Sequence, residues 1–155
     1  MHLQILNGME SQEKKYDFTQ VSTGWKFCFN SNCPMHEECL RYQAALEMPE
    51  DREWGSAVFP PALKNGQCKY FRKDEKVILA TGFLTTDPIL NDMFVKLRLK
   101  LTAYLGGNGS YYIYRNGKKW LSPTKQQEGI RKIFQKAGYR GEVIFKEQKE
   151  DYNFL

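Results

Sequence analysis

The clearest hydrophobic rhythm lies in the second half of the chain. Lys76 to Phe83 is a continuous apolar run, the pattern of a buried strand. Asp87-Pro88 then supplies a cap and a first-turn proline. Leu90, Phe94, Leu97, Leu101 and Tyr104 follow at helical spacing, and Gly106-Gly107 stops the helix after Leu105. Val95 to Leu101 also alternates strictly between apolar and basic residues, as a strand would; length and leucine content decide for the helix. Tyr111–Arg115 and Lys118–Leu121, joined by Asn116-Gly117, predict a hairpin with a type I′ turn. Ser122-Pro123 opens a second helix with Ile130, Ile133, Phe134 and Ala137 on one face, ended by Gly138. Glu142–Phe145 reads as a last strand before a polar tail. Over residues 76–147 the order is βαββαβ, which predicts a ferredoxin-like unit with a four-stranded antiparallel sheet and two helices on one face.

The first half is less periodic. Residues 1–24 are polar and predict a loosely ordered lead-in. Trp25, Phe27 and Phe29 alternate as on a strand. Beyond Pro34 the spacing turns helical, with Met35, Cys39, Tyr42 and Leu46 on one face and Glu37-Glu38 suited to a helix start. Pro49, Gly55, Pro60-Pro61 and Asn65-Gly66 punctuate an irregular connection over 47–68, in which Ser56–Phe59 is at most a short strand. A βαββαβ unit of roughly 70 residues is near the lower limit for independent folding. The expectation is therefore a single α+β domain, 1–155, with a cysteine-rich lobe (25–70) packed on the ferredoxin-like unit (76–147).

Composition narrows the class. In 155 residues, 41% hydrophobic and 14% aromatic, there is enough apolar material for a core, which excludes collagen-like and disordered chains. No apolar run approaches the roughly 20 residues of a membrane helix. The start is broken by Asn7-Gly8 and Glu10, unlike a signal peptide, so a soluble cytoplasmic protein is expected. Charge is uneven. Between Lys96 and Lys146 stand 12 basic and two acidic residues, against 11 basic and 16 acidic elsewhere. Such a surface suits a nucleic acid or an acidic protein partner. The plainer reading is a solvated face.

The cysteines carry the strongest chemical signal. Cys28, Cys33, Cys39 and Cys68 give C-x4-C-x5-C and then a distant fourth. Four thiolates suit a structural zinc, or an iron–sulfur cluster; with no secretory signal, disulfides are disfavoured. A helix starting near His36 would leave Cys33-Pro34-Met35 as a turn and put Cys39 in the first helical turn, where exposed amides favour a thiolate. His36, at Cys33-x2-His36, is a substitute fourth ligand. Against both metals stands a metal-free domain with four small buried thiols that binds another protein. Zinc ranks ahead of iron–sulfur.

Other chemistry is thin. Tyr111, Tyr112, Tyr114 and Trp120 interleave with Arg115, Lys118 and Lys119, as single-stranded nucleic acid requires, although strand alternation would send half of them to the core. Lys118, Lys119, Arg131 and Lys132 are the candidate nucleic-acid surface. Only His2 and His36 could serve as histidine bases, and Cys39 with His36 is the only local nucleophile pair, so no catalytic role is expected.

Phe27-Cys28-Phe29-Asn30, Cys33-Pro34, Cys39-Leu40-Arg41-Tyr42 and Cys68-Lys69-Tyr70-Phe71, with Leu121-Ser122-Pro123, Gln127 and Asp151-Tyr152, resemble a domain-of-unknown-function family of small four-cysteine proteins from gut Bacteroides-type bacteria. That resemblance spans roughly residues 25–153. It implies the four-cysteine pattern and a bacterial, intracellular setting, and no activity. Taken together, the sequence predicts a non-enzymatic binding module with a four-cysteine zinc site and a basic C-terminal surface.

Overall fold

The computed structural model describes residues 15–83 and 88–155, apart from the side chains of 88–92 and Phe94. The chain divides into two compact units, Met1–Lys73 and Asp74–Leu155. Mixed helix and short antiparallel or parallel strand pairs make it α+β.

The first unit is built from short pieces. Strand β1 (Lys26–Cys28) pairs in parallel with β2 (Ser56–Val58), in the register Phe27 opposite Ala57. Between them, a 3-10 turn over His36–Glu38 leads to helix α1 (Leu40–Leu46), with Cys39 at its N-cap. Strands β3 (Leu63–Lys64) and β4 (Gln67–Cys68) form a minimal hairpin. Asn65 at φ 50° and Gly66 at φ 73° both sit in the left-handed region, as a two-residue type I′ turn demands. Among the described residues of this unit, Tyr16, Trp25, Phe27, Cys39, Leu40, Ala44 and Val58 are the buried apolar ones. The buried face of α1 is therefore Leu40 and Ala44. Leu46, predicted to lie inward, is exposed. Cys39 caps the helix instead of lying within it, and the face that packs inward carries Leu40 and Ala44 rather than Tyr42 and Leu46.

The second unit holds the larger core. Strand β5 (Lys76–Phe83) and helix α2 (Pro88–Leu105) lie where the sequence predicts them; the proposed cap Asp87 and the stripe residues Leu90 and Phe94 are outside the described residues or side chains. Leu97, Leu101 and Leu105 are buried, whereas Tyr104 is half-exposed. Each of the fully buried leucines contributes about 1.5–3 kcal/mol of transfer free energy. The strand-like alternation of 95–101 is resolved simply: Val95 and Leu99 point to solvent. After α3 (Asn108–Arg115), a wide π turn over Pro123–Gln127 enters helix α4 (Glu128–Lys136), which buries Ile130 and Phe134. That turn delivers the buried Gln127, whose Nε2 donates to the carbonyls of Ile78 and Leu121 at 2.9 Å each. Strand β6 (Phe145–Tyr152) closes the unit antiparallel to β5, from Lys76 opposite Tyr152 to Phe83 opposite Phe145.

Two expectations fail here. The predicted hairpin is not a hairpin: 108–115 is helix α3, and Asn116-Gly117 is its C-terminal cap. Gly117, at φ 75°, donates to Tyr114 O, and Lys118 N–H reaches back to Ile113 O, the paired bonds of a Schellman cap. The final strand occupies the polar tail instead of ending at Phe145. Among the described residues the sheet of this unit is thus two-stranded, extended only by an Ala80–Leu121 bridge, and the four-stranded ferredoxin-like sheet is not formed.

Candidate metal centre

The four cysteines come from four separate places in the first unit. Cys28 ends β1. Cys33 follows a turn in which its N–H donates to Asn30 O and Asn32 N–H is held by the Asn30 side chain. Cys39 caps α1, its carbonyl accepting from the N–H groups of Tyr42 and Gln43. Cys68 ends β4, its carbonyl bonded to Phe71 N–H. Backbone contacts bring the distant pieces together. Leu40 N–H donates to Arg72 O at 2.7 Å, and Cys39 and Lys73 form an isolated bridge, so the start of α1 lies against the segment that follows Cys68.

All four cysteines, together with His36, line one cavity of about 20 Å³. That is room for roughly one water-sized body. None of the four is in a disulfide. The Cys28 thiol is held above its ordinary pKa of 9.0, first by burial. The Asn30 N–H, donating to its sulfur, acts in the opposite sense, and negative charge on Cys39, Cys33 and Cys68 raises it further. The Cys28 sulfur is thus electrostatically coupled to the other three.

A cation stands beside them. Arg41, half-buried, lines the same cavity. Its Nε donates to Tyr70 O at 2.7 Å and its Nη1 to Lys26 O at 2.8 Å, and its guanidinium carbon lies 4.0 Å from the centre of the buried Trp25 ring. Arg72 approaches the same indole at 5.4 Å. Burial, and then the charge of Arg72, pull the Arg41 pKa below its ordinary value; thiolate at Cys39, Cys68 and Cys28 pulls it back up. No carboxylate pairs with Arg41 among the described residues. Its electrostatic complement is the thiol group.

His36 directs Nδ1 to Cys33 O at 2.7 Å and its ring edge-on to Tyr42, which leaves Nε2 as the nitrogen with coordinating capacity. In the structure as it stands, no three His, Cys, Asp or Glu side chains among the described residues are drawn together closely enough to hold a metal ion. The basic residues of the second unit are dispersed in role. Lys118 and Lys119 are exposed beyond the α3 cap, Arg131 packs over the Phe145 ring at 5.2 Å, and Lys132 pairs with Glu128. Tyr111, placed on the expected nucleic-acid hairpin, is fully buried in the core. The sequence reading missed Arg41 as part of the centre; its place in Cys39-Leu40-Arg41-Tyr42 was the available signal.

No helix among the described residues is long and apolar enough to cross a membrane. No curated protein and no solved structure matches this chain. A family profile does, over residues 9–154, nearly the whole length: the chain belongs to the family of unknown function DUF6078.

Proposed function

We propose that the N-terminal unit is a non-enzymatic binding module stapled by one zinc ion on Cys28, Cys33, Cys39 and Cys68. The observation that carries this reading is the single small cavity that all four thiols line. To hold the ion, the sulfurs close inward around a space already no larger than about one water. The resulting tetrathiolate bears two negative charges, and Arg41 lies beside it to offset them. With four protein ligands the ion has no open position for water or substrate, so it fixes structure and does not catalyse. The cavity's size favours a single ion over a multi-iron cluster. His36 Nε2 is the reserve ligand, and four cysteines make it unnecessary.

The test is elemental analysis of protein purified without oxygen, followed by cobalt replacement. We expect one equivalent of zinc, the intense thiolate-to-cobalt absorption of a tetrahedral sulfur site, and loss of both in Cys68→Ser. Four titratable thiols with no metal taken up after refolding in zinc would overturn the proposal. Iron with sulfide would replace it by the cluster reading.

A further inference from the structure

A second cavity in the first unit, of about 710 Å³, runs from β1 across β2 to the β3–β4 hairpin. It falls within the range of about 300–1,000 Å³ usual for ligand sites. Lys26, Lys64 and Lys69 line it, and no Asp or Glu does. All three lysines are exposed, and none pairs with a carboxylate among the described residues. Lys69 is engaged only with the ring of Tyr70, 4.9 Å away. Phe59, at the end of β2, is 75% exposed on the same cavity, and Tyr70 adds a second ring.

We infer that this groove binds single-stranded nucleic acid, with Lys26, Lys64 and Lys69 on phosphates and Phe59 as a stacking platform for a base. Three cations without carboxylate partners around one cleft concentrate a polyanion, and the exposed Phe59 ring beside them offers a face on which a base can stack. Stacking and phosphate contact together are the recognition chemistry of single strands. An acidic peptide would use the lysines equally well but has no base to lay on Phe59. The type I′ turn at Asn65-Gly66 matters here, because it folds the chain back so that Lys64 and Lys69 flank one cleft. In the second unit, Arg131 and Lys132 are engaged within their own unit, over the Phe145 ring and with Glu128.

The experiment uses the full chain and a fluorescein-labelled twelve-nucleotide oligo-dT, followed by anisotropy across a salt series. Three phosphate contacts predict a slope of log K against log salt of about −2 for a single strand. Phe59→Ala is expected to weaken binding about fivefold to a hundredfold with the slope unchanged. Combined Lys26→Glu, Lys64→Glu and Lys69→Glu should abolish binding, and circular dichroism confirms that this variant is folded; if it is not, the single Lys→Ala variants, each reducing the slope by about 0.7, carry the test. Reversal of Lys118, Lys119, Arg131 and Lys132 should leave binding unchanged. The inference is overturned if that last variant loses binding while the groove variants keep it, if Phe59→Ala binds like the wild type, or if a poly-glutamate peptide competes as well as unlabelled oligo-dT. Metal content is measured in every variant, so that a loss of binding on substitution of Lys26, Lys64, Lys69 or Phe59 with metal content unchanged is told apart from a loss of the zinc centre.

Discussion

Arg41 is where stability and metal chemistry meet, and two substitutions separate its roles. Arg41→Met removes two hydrogen bonds from a charged donor, worth about 1.5–3 kcal/mol each, and a cation–π contact worth about 0.5–2 kcal/mol. Against that gross loss, a half-buried guanidinium no longer has to be stripped of water, which returns several kcal/mol. The net expectation is a destabilisation of about 2–4 kcal/mol. Arg41→Lys loses the fork that reaches Tyr70 O and Lys26 O together, so it should cost nearly as much. The two part company on metal. Lysine keeps a positive charge beside the thiols, whereas methionine leaves the tetrathiolate without it. In a competition assay against a chelating dye, Arg41→Met should bind zinc at least about tenfold more weakly than wild type, a 1.4 kcal/mol effect, with Arg41→Lys much closer to wild type. Stability is read from urea melts in a chain carrying Trp54→Phe and Trp120→Phe, so that the buried Trp25 alone reports on the first unit. A wild-type melt for Arg41→Met would refute the role of the two carbonyl bonds. Equal zinc affinity in both variants would refute the charge argument.

Two further outcomes test the second unit. Gly129 lies inside α4, where alanine would ordinarily gain about 1 kcal/mol, but an alanine Cβ would run into the Tyr104 ring, meeting its Oη and Cζ and lying 2.6 Å from Cε1. Since Tyr104 also donates to Lys125 O, Gly129→Ala should destabilise by about 1–2 kcal/mol, and in a Tyr104→Ala background the same substitution should stabilise; urea melts of the four-member cycle show whether the sign reverses. The Tyr111 hydroxyl is buried with no hydrogen-bond partner, so Tyr111→Phe should be neutral or stabilising by up to about 1 kcal/mol at pH 7. Burial, only partly offset by Arg115 and Arg98, holds the Tyr111 phenol above its ordinary 10.0. A raised folded-state pKa means that wild-type stability is intact below pH 10.0 and falls as pH rises beyond it, a fall that Tyr111→Phe should lack in urea midpoints compared at pH 8 and pH 11.

What the sequence made legible follows its physical signals. β5, α2 and α4 were readable because burial imprinted a period on them: a continuous apolar run in one case, a stripe of Leu97, Leu101 or of Ile130, Phe134 in the others. β6 was not, because half of its side chains are exposed, only Phe145 is buried, and its place is set by backbone pairing with β5, which leaves no apolar alternation in Lys146–Asp151. Two of the Asn-Gly pairs show the limit most sharply. Asn65-Gly66 makes the I′ hairpin, and Asn116-Gly117 caps a helix, although each dipeptide supplies the same left-handed glycine. What differs is the preceding segment: two residues cannot form a helix, whereas Asn108–Arg115 can, and it buries Tyr111 when it does. The cysteine spacing likewise named the four thiols but not their meeting, which depends on Arg41 and Leu40 bonding to residues some 30 positions away.

The need for a staple can be read from element lengths. Among the described residues of the first unit, the strands have three, three, two and two residues and the α-helix has seven, none long enough to persist alone. Cys28, Cys39 and Cys68 stand at an end or cap of β1, α1 and β4, so an ion held by them clamps the termini from which such short elements fray. The second unit has an 18-residue helix and an eleven-residue buried cluster and requires no such clamp. Chelation should therefore act on one unit alone. Hydrogen exchange on the full chain is expected to show amide protection in α1 and the β1–β2 pair collapsing on metal removal, while the amides of Leu97, Leu101 and Phe134 keep theirs. Equal loss of protection in both units, or none in either, would sink the view that the thiol cluster serves to hold the first unit together.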